Sequence, residues 1–139
     1  MATLERAIAI AVQAHQGQRD KAGAPYILHP LRLMMRMQTE AEMIAAVLHD
    51  VIEDTEWTPD GLRAEGFSAG IIEAIECLTR PPDETYDDFI ERVKTSPVAW
   101  RVKIADLEDN MNIRRIEMLT PKDLERLEKY HRAWRALNS

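Results

Sequence analysis

Apolar residues recur along this chain at intervals of three and four, and the stretches between them carry side-chain oxygens suited to capping helices. Trp100, Ile104, Leu107 and Met111 form one such stripe, the spacing of a single α-helical face. Thr39-x-x-Glu42 is a capping box ahead of an apolar run, Met43–Leu48, and predicts a helix beginning near Glu40. Thr58-Pro59, Ser96-Pro97 and Thr120-Pro121 each set a capping oxygen before a proline suited to a first helical turn. Ser68 and Thr85 offer two further N-caps. No segment alternates β-branched and polar residues over a strand's length. The expected fold is all-α, one compact bundle of about seven or eight short helices over residues 1–139.

Composition narrows the class. Hydrophobic residues are 45% and charged residues 30% of the 139, the balance of a soluble globular chain. Lys+Arg number 18 against Asp+Glu 24, a formal net charge of −6, which argues against general nucleic-acid binding. The single cysteine, Cys77, excludes an internal disulfide and a multi-thiolate metal site. The run Met43–Leu48 is too short to span a bilayer, and Glu5 and Arg6 interrupt any signal-peptide core. A cytoplasmic protein with no membrane partner is expected.

One non-helical stretch stands apart. Gln16–Pro30, QGQRDKAGAPYILHP, holds two of the five glycines, two prolines, three charges, and the rings of Tyr26 and His29. On a helical scaffold such a loop serves either as a connector or as a functional segment.

The densest chemistry follows the apolar run, in His49-Asp50-Val51-Ile52-Glu53-Asp54. On one continuous helix His49 and Glu53, and Asp50 and Asp54, are i, i+4 pairs sharing a side. Like charges at these spacings repel, and at a helix C-terminus the macrodipole disfavours them further. Either a divalent cation relieves the cluster or it is a solvated acidic helix end. Two distant residues bear on that choice. His29 sits in the apolar setting Tyr26–Pro30, where it is either a core histidine or a ligand. Asp106 lies in a core-facing stretch, where an unpartnered carboxylate is costly; it needs Lys103, at i−3, or a metal. Together His29, His49, Asp50 and Asp106 would offer the mixed nitrogen and oxygen set that suits manganese, iron or zinc.

An adjacent His-Asp pair with an upstream His and a downstream Asp resembles the HD superfamily of metal-dependent phosphohydrolases. The run AHQGQRDKAGAPYILHP, then AAVLHDVIEDT, then VKIADLEDNM is similar, in order and separation, to the hydrolase domain of RelA/SpoT homologues and to the small alarmone hydrolases. The resemblance covers nearly the whole chain. It implies a single HD-type domain that removes pyrophosphate from the 3′ position of ppGpp and pppGpp, with manganese as the usual ion.

Residue by residue, it implies His29, His49, Asp50 and Asp106 as metal ligands and Glu53 and Asp54 as catalytic acids beside the attacking water. It implies Lys21 beside the guanine base and Asn110 against the nucleoside. His15 is implied to be structural, and Tyr26 to pack beside the nucleotide or in the core. Arg19, Lys21 and Lys103 are positioned either to meet phosphate charge or to be solvated surface. Glu53, one turn from His49, is the expected base, with Asp54 assisting or protonating the leaving group.

The motif departs from its relatives in two places. Where they carry a basic pair, this chain has Asp20-Lys21 with Arg19 before it. Where they read ADRLHNMRT, the His, Arg and Thr are Asp109, Asn112 and Ile113. Three alternatives stand beside the main reading: an HD phosphohydrolase for another nucleotide or a pyrophosphorylated RNA end, a non-catalytic nucleotide-binding module, and a helical interaction protein. Synthesis of the alarmone is not expected, because no synthetase region follows Ser139. The basic residues Lys122, Arg126, Lys129, Arg132 and Arg135 read as a solvated helix face. Trp57, Trp100 and Trp134 read as core or subunit contacts, and a homo-oligomer stays open.

Overall fold

The computed structural model describes residues 2–139. Its helices are α1 (Leu4–Ala14), α2 (Leu28–Met35), α3 (Glu40–Val47), α4 (Val51–Asp54), α5 (Pro59–Glu65), α6 (Ala69–Cys77), α7 (Tyr86–Val93), α8 (Pro97–Asn110) and α9 (Pro121–Leu137). A 3₁₀ turn, Ile113–Arg115, joins α8 to α9. Because α4 is a single turn, eight longer helices remain among the described residues, within the expected seven or eight. Among the described residues no strand forms; one isolated bridge pairs Arg19 with Pro25.

Capping chemistry sets the boundaries. Thr58, Ser68, Thr85, Ser96 and Thr120 each accept a backbone N–H three residues on. Thr39 and Glu42 close a full capping box on α3, and Glu42 also pairs with Arg101 of α8. Thr39→Ala should therefore lower stability by about 1 kcal/mol. A thermal melt should show this as a fall of roughly 3–5 °C.

The core is built around α3. Ile44, Ala45, Ala46, Val47 and Leu48 are all buried, and the helix packs against α1, α2, α6 and α8. Each large side chain of this kind contributes roughly 1.5–3 kcal/mol of transfer free energy. Trp100 and Trp134 tie α8 to α9, donating from Nε1 to Leu137 O at 2.9 Å and Glu108 Oε2 at 2.8 Å. No described helix is long and apolar enough to cross a membrane.

The backbone departs from the expected pattern twice. The acidic cluster does not lie on one helix: α3 ends at Val47, Leu48–Asp50 form a turn, and α4 restarts at Val51. Neither glycine nor proline causes this break. In a continuing helix the Ala46 carbonyl would accept from Asp50 N–H; here it accepts from the His49 ring Nδ1 at 2.7 Å. Secondly, the loop after α1 ends earlier than Pro30, since α2 begins at Leu28 and takes His29 and Pro30 into its first turn. Pro30 is tolerated there because first-turn N–H groups have no intrahelical partner. The rest of that loop is ordered by Asp20, whose Oδ1 accepts from Ala22 N at 2.9 Å and Ala24 N at 3.0 Å. Gly17 and Gly23 supply positive φ angles of 87° and 85°.

Candidate metal centre

Three pieces of backbone converge on one point. The first turn of α2 delivers His29, the α3–α4 turn delivers His49 and Asp50, and the middle of α8 delivers Asp106. His29 Nε2 lies 2.8 Å from Asp106 Oδ1. His49 Nε2 lies 3.4 Å from the same oxygen and 3.0 Å from Asp50 Oδ2. One donor atom from each of His29, His49 and Asp106 falls within 4.8 Å of the others, and all three residues are buried.

His49 reports most directly on what the site can hold. Its Nδ1 faces a carbonyl, which only accepts, so that nitrogen carries a proton. Its Nε2 is buried and makes no hydrogen bond, because neither neighbouring carboxylate has hydrogen-bond geometry to it. Buried polar atoms without partners are rare, and this one is aimed at two carboxylates. Burial pulls the His49 ring toward neutrality, yet Asp50 and Asp106 outweigh it and hold its pKa well above the ordinary 6.5. His29 follows the same balance: burial opposes, Asp106 and Asp109 prevail, and its pKa is raised. The site therefore demands positive charge, which two imidazolium protons or one divalent cation can supply. Two imidazole nitrogens with carboxylates make a donor set for a borderline transition metal.

The carboxylates are held from behind. Burial works against Asp106 ionising, but Lys103, His29 and His49 keep its pKa well below the usual range. Lys103 Nζ donates to Asp106 Oδ2 at 2.8 Å and lies over the rings of Tyr86 and Phe89. Its side chain is only 12% exposed, so Lys103 stands behind Asp106 and not on the cavity wall where a phosphate-binding role would put it. Asn110 Nδ2 donates to Asp106 Oδ1 at 3.2 Å. Tyr26 donates its hydroxyl to Asp50 Oδ2 and packs between the rings of His15 and His29. His15 is itself buried, with Nδ1 2.8 Å from Gln18 Oε1 and Nε2 without a hydrogen-bond partner.

A cavity of about 400 Å³ opens onto this cluster. His29, Asp50, Asp54 and Asp106 form one part of its wall, and Tyr26 and Asn110 adjoin them. Arg19 and Lys21, from the loop after α1, also line it, as do Arg115, Arg126 and Tyr130. Burial first, then the Arg126 cation, pull the Lys21 ammonium below the ordinary lysine value, and Asp123 opposes them. The two catalytic candidates are separated: Asp54 lines the cavity and Glu53 does not. Both carboxyls are pushed up, first by burial and then by Asp50.

The α9 contribution went unread in the sequence. Arg126 and Tyr130 are an i, i+4 pair on α9, a spacing that puts both on one face. Arg115 belongs to an irregular segment with no periodicity to mark it.

Comparison with known proteins follows the same lines. The chain is 31% identical over 134 residues to a guanosine-3′,5′-bis(diphosphate) 3′-pyrophosphohydrolase of Haemophilus influenzae, covering 86% of this chain and 20% of that one. It is 30% identical over 143 aligned positions to a GTP pyrophosphokinase of Streptomyces coelicolor, covering 91% and 17%. Over most of its length the chain is thus similar to one part of the SpoT/RelA enzymes. It spans about a fifth or less of the length of these curated relatives, 17% to 20%. A solved structure described as a metazoan ortholog of SpoT that hydrolyzes ppGpp superposes with a TM-score of 0.81. That match covers 99% of this chain and 85% of the other at 20% identity, a likeness of fold. No family model matches the chain. The SpoT-type fold thus carries, in this chain, a buried His29–His49–Asp106 group able to hold a metal.

Proposed function

We propose that residues 1–139 form one manganese-dependent hydrolase domain that cleaves the 3′-diphosphate of ppGpp-like nucleotides, yielding GDP or GTP and pyrophosphate. The observation that carries this reading is the buried His29–His49–Asp106 group at one part of a cavity also lined by Arg19, Lys21, Arg115 and Arg126. His29, His49, Asp50 and Asp106 would hold the ion. Bound there, a divalent ion supplies Lewis acidity that activates water and neutralises phosphate oxygens. That matters in a protein of net charge −6.

The chain's own residues do the rest. Asp54, on the wall beside Asp50, accepts the proton of the attacking water and returns it to the departing 3′-oxygen; burial and Asp50 push its carboxyl up, in the direction that suits both transfers. Glu53, off the wall, reinforces the acidic field around Asp50 and Asp54. Lys21, Arg19 and Arg126 hold phosphate groups away from the reacting phosphorus, and Asn110 contacts the nucleoside. Tyr26 fixes Asp50 through its hydroxyl. A nucleotide substrate implies a cytoplasmic site of action.

One observation bears on the base. Asn112 and Ile113, which stand where the RelA/SpoT motif has Arg and Thr, both line the cavity. Loss of a polar contact typically costs on the order of 1 kcal/mol, so discrimination against adenine should relax by one to three powers of ten. The test is to incubate manganese-loaded protein with ppGpp, its adenine analogue and other nucleotides, and to identify products by mass. Pyrophosphate release from both 3′-diphosphates is expected. Release of phosphate alone, or turnover only of another nucleotide, would transfer the function to a different HD-type reaction. Lys21→Ala should raise KM more than it lowers kcat, since Lys21 binds at a distance from the reacting atoms.

A further inference from the structure

Asp109 stands at the position where the RelA/SpoT motif carries histidine, and it does not line the cavity. Its surroundings are nevertheless specific. His29 Nδ1 donates to Asp109 Oδ2 at 2.6 Å. Arg32 grips both carboxylate oxygens, Nε on Oδ1 at 2.8 Å and Nη2 on Oδ2 at 2.9 Å. Arg115 adds Nη1 on Oδ1 at 3.3 Å and Nη2 on the Asp109 carbonyl at 3.1 Å. The carboxylate is 10% exposed, so these three partners define its surroundings.

The pattern arises from two interlocked helical pairs. His29 and Arg32 are i, i+3 on α2, and Asp106 and Asp109 are i, i+3 on α8. One face of α2 thus presents a ring and a guanidinium to two carboxylates on one face of α8. Each ring nitrogen of His29 meets a different acid, Nδ1 on Asp109 and Nε2 on Asp106. Both acids only accept, so without a cation the ring carries a proton on each nitrogen; a cation held between Nε2 and Asp106 would replace the proton on Nε2, while Asp109 keeps the one on Nδ1. The bidentate Arg32 fork sets the carboxylate plane, and through it the ring's rotation.

We infer that Asp109, clamped by Arg32 and Arg115, is a positioning residue that fixes the tautomer and orientation of His29 for metal binding. This rests on the metal-site reading above. Outer partners of a ligating histidine typically contribute 10–100-fold to metal affinity, and an ordinary surface ion pair between α2 and α8 would contribute nothing to it.

The test uses metal-free protein titrated calorimetrically with Mn²⁺, wild type beside Asp109→Asn and Arg32→Ala. The expected result is a 10–100-fold weaker Mn²⁺ dissociation constant in Asp109→Asn and an intermediate loss in Arg32→Ala, where the acid remains but its clamp is gone. A second readout is the nitrogen-15 histidine spectrum of Zn²⁺-loaded protein. Wild type should show His29 protonated at Nδ1 and metal-bound at Nε2, and Asp109→Ala should show mixed tautomers. An unchanged Mn²⁺ constant in Asp109→Asn, or a retained pure tautomer in Asp109→Ala, overturns the positioning role and leaves the metal site standing. If Asp109→Asn does not fold, a wild-type Mn²⁺ constant in Arg32→Ala overturns it instead. Failure of the wild type itself to take up Mn²⁺ or Zn²⁺ overturns the metal-site reading, and the inference falls with it.

Discussion

Asp106→Ala should emerge without bound metal and melt roughly 10–20 °C below the wild type. Two effects combine. Asp106 Oδ1 faces both imidazoles, so its loss removes the group that brings the two histidines to a common point. Its other oxygen is the carboxylate partner of Lys103, whose side chain is 12% exposed. Removing one member of a buried pair typically costs about 3–5 kcal/mol, because the remaining charge has no compensation.

The pH dependence of the metal-free wild type should show the same linkage. His29 and His49 have folded pKa values above their ordinary 6.5. The stability they contribute is fully present below the unfolded value and is lost as pH rises through the folded one. Melting temperature of metal-free protein should therefore fall as the solution is made alkaline from about pH 6.5. Added Mn²⁺ should reverse that trend, since protons and metal compete for the same nitrogens. Metal analysis with a pH series of melts checks both claims. An Asp106→Ala protein that keeps its metal and its melting temperature would remove Asp106 from the site.

Asp54→Asn should retain metal yet lose ~10²–10⁴-fold in turnover, the usual worth of a positioned base. Glu53→Gln should lose distinctly less. The sequence favoured Glu53, because on an unbroken helix it would sit one turn above His49. The helix is broken at Leu48–Asp50, and on the resulting single turn it is Asp54 that lines the cavity. Pyrophosphate release assayed beside metal content separates the two acids. A larger loss in Glu53→Gln than in Asp54→Asn would return the role to Glu53, and loss of metal in Asp54→Asn would make it a ligand.

What could be read from the sequence was chemistry with a local cause. The capping oxygens of Thr39, Thr58, Ser68, Thr85, Ser96 and Thr120 act within three residues, and the helices begin where they predict. His29, His49, Asp50 and Asp106 stand out by spacing, setting and motif, and their side chains meet in space. What could not be read depends on distant partners. The break after Val47 has no glycine or proline to announce it, and it is accommodated by His49 turning back on Ala46 O. Lys103 looked available to phosphate because nothing nearby in sequence shows that Tyr86 and Phe89 cover it. Arg126 looked like solvated surface because acids and bases alternate along α9. Its place on the cavity wall is decided by the packing of α9 against α7 and α8.

The cavity wall has a division of labour with a historical consequence. The groups proposed to hold the metal come from α2, the α3–α4 turn and α8, whose side chains are interlocked by buried ion pairs and tolerate little drift. Arg126 and Tyr130 come from α9, where the ion pair of Arg126 is with Asp123 of the same helix. Selection can therefore rewrite one part of the pocket while the other stays constant. A lineage with this architecture can exchange one nucleotide for another through a few substitutions near its C-terminal helix, without inventing its chemistry again.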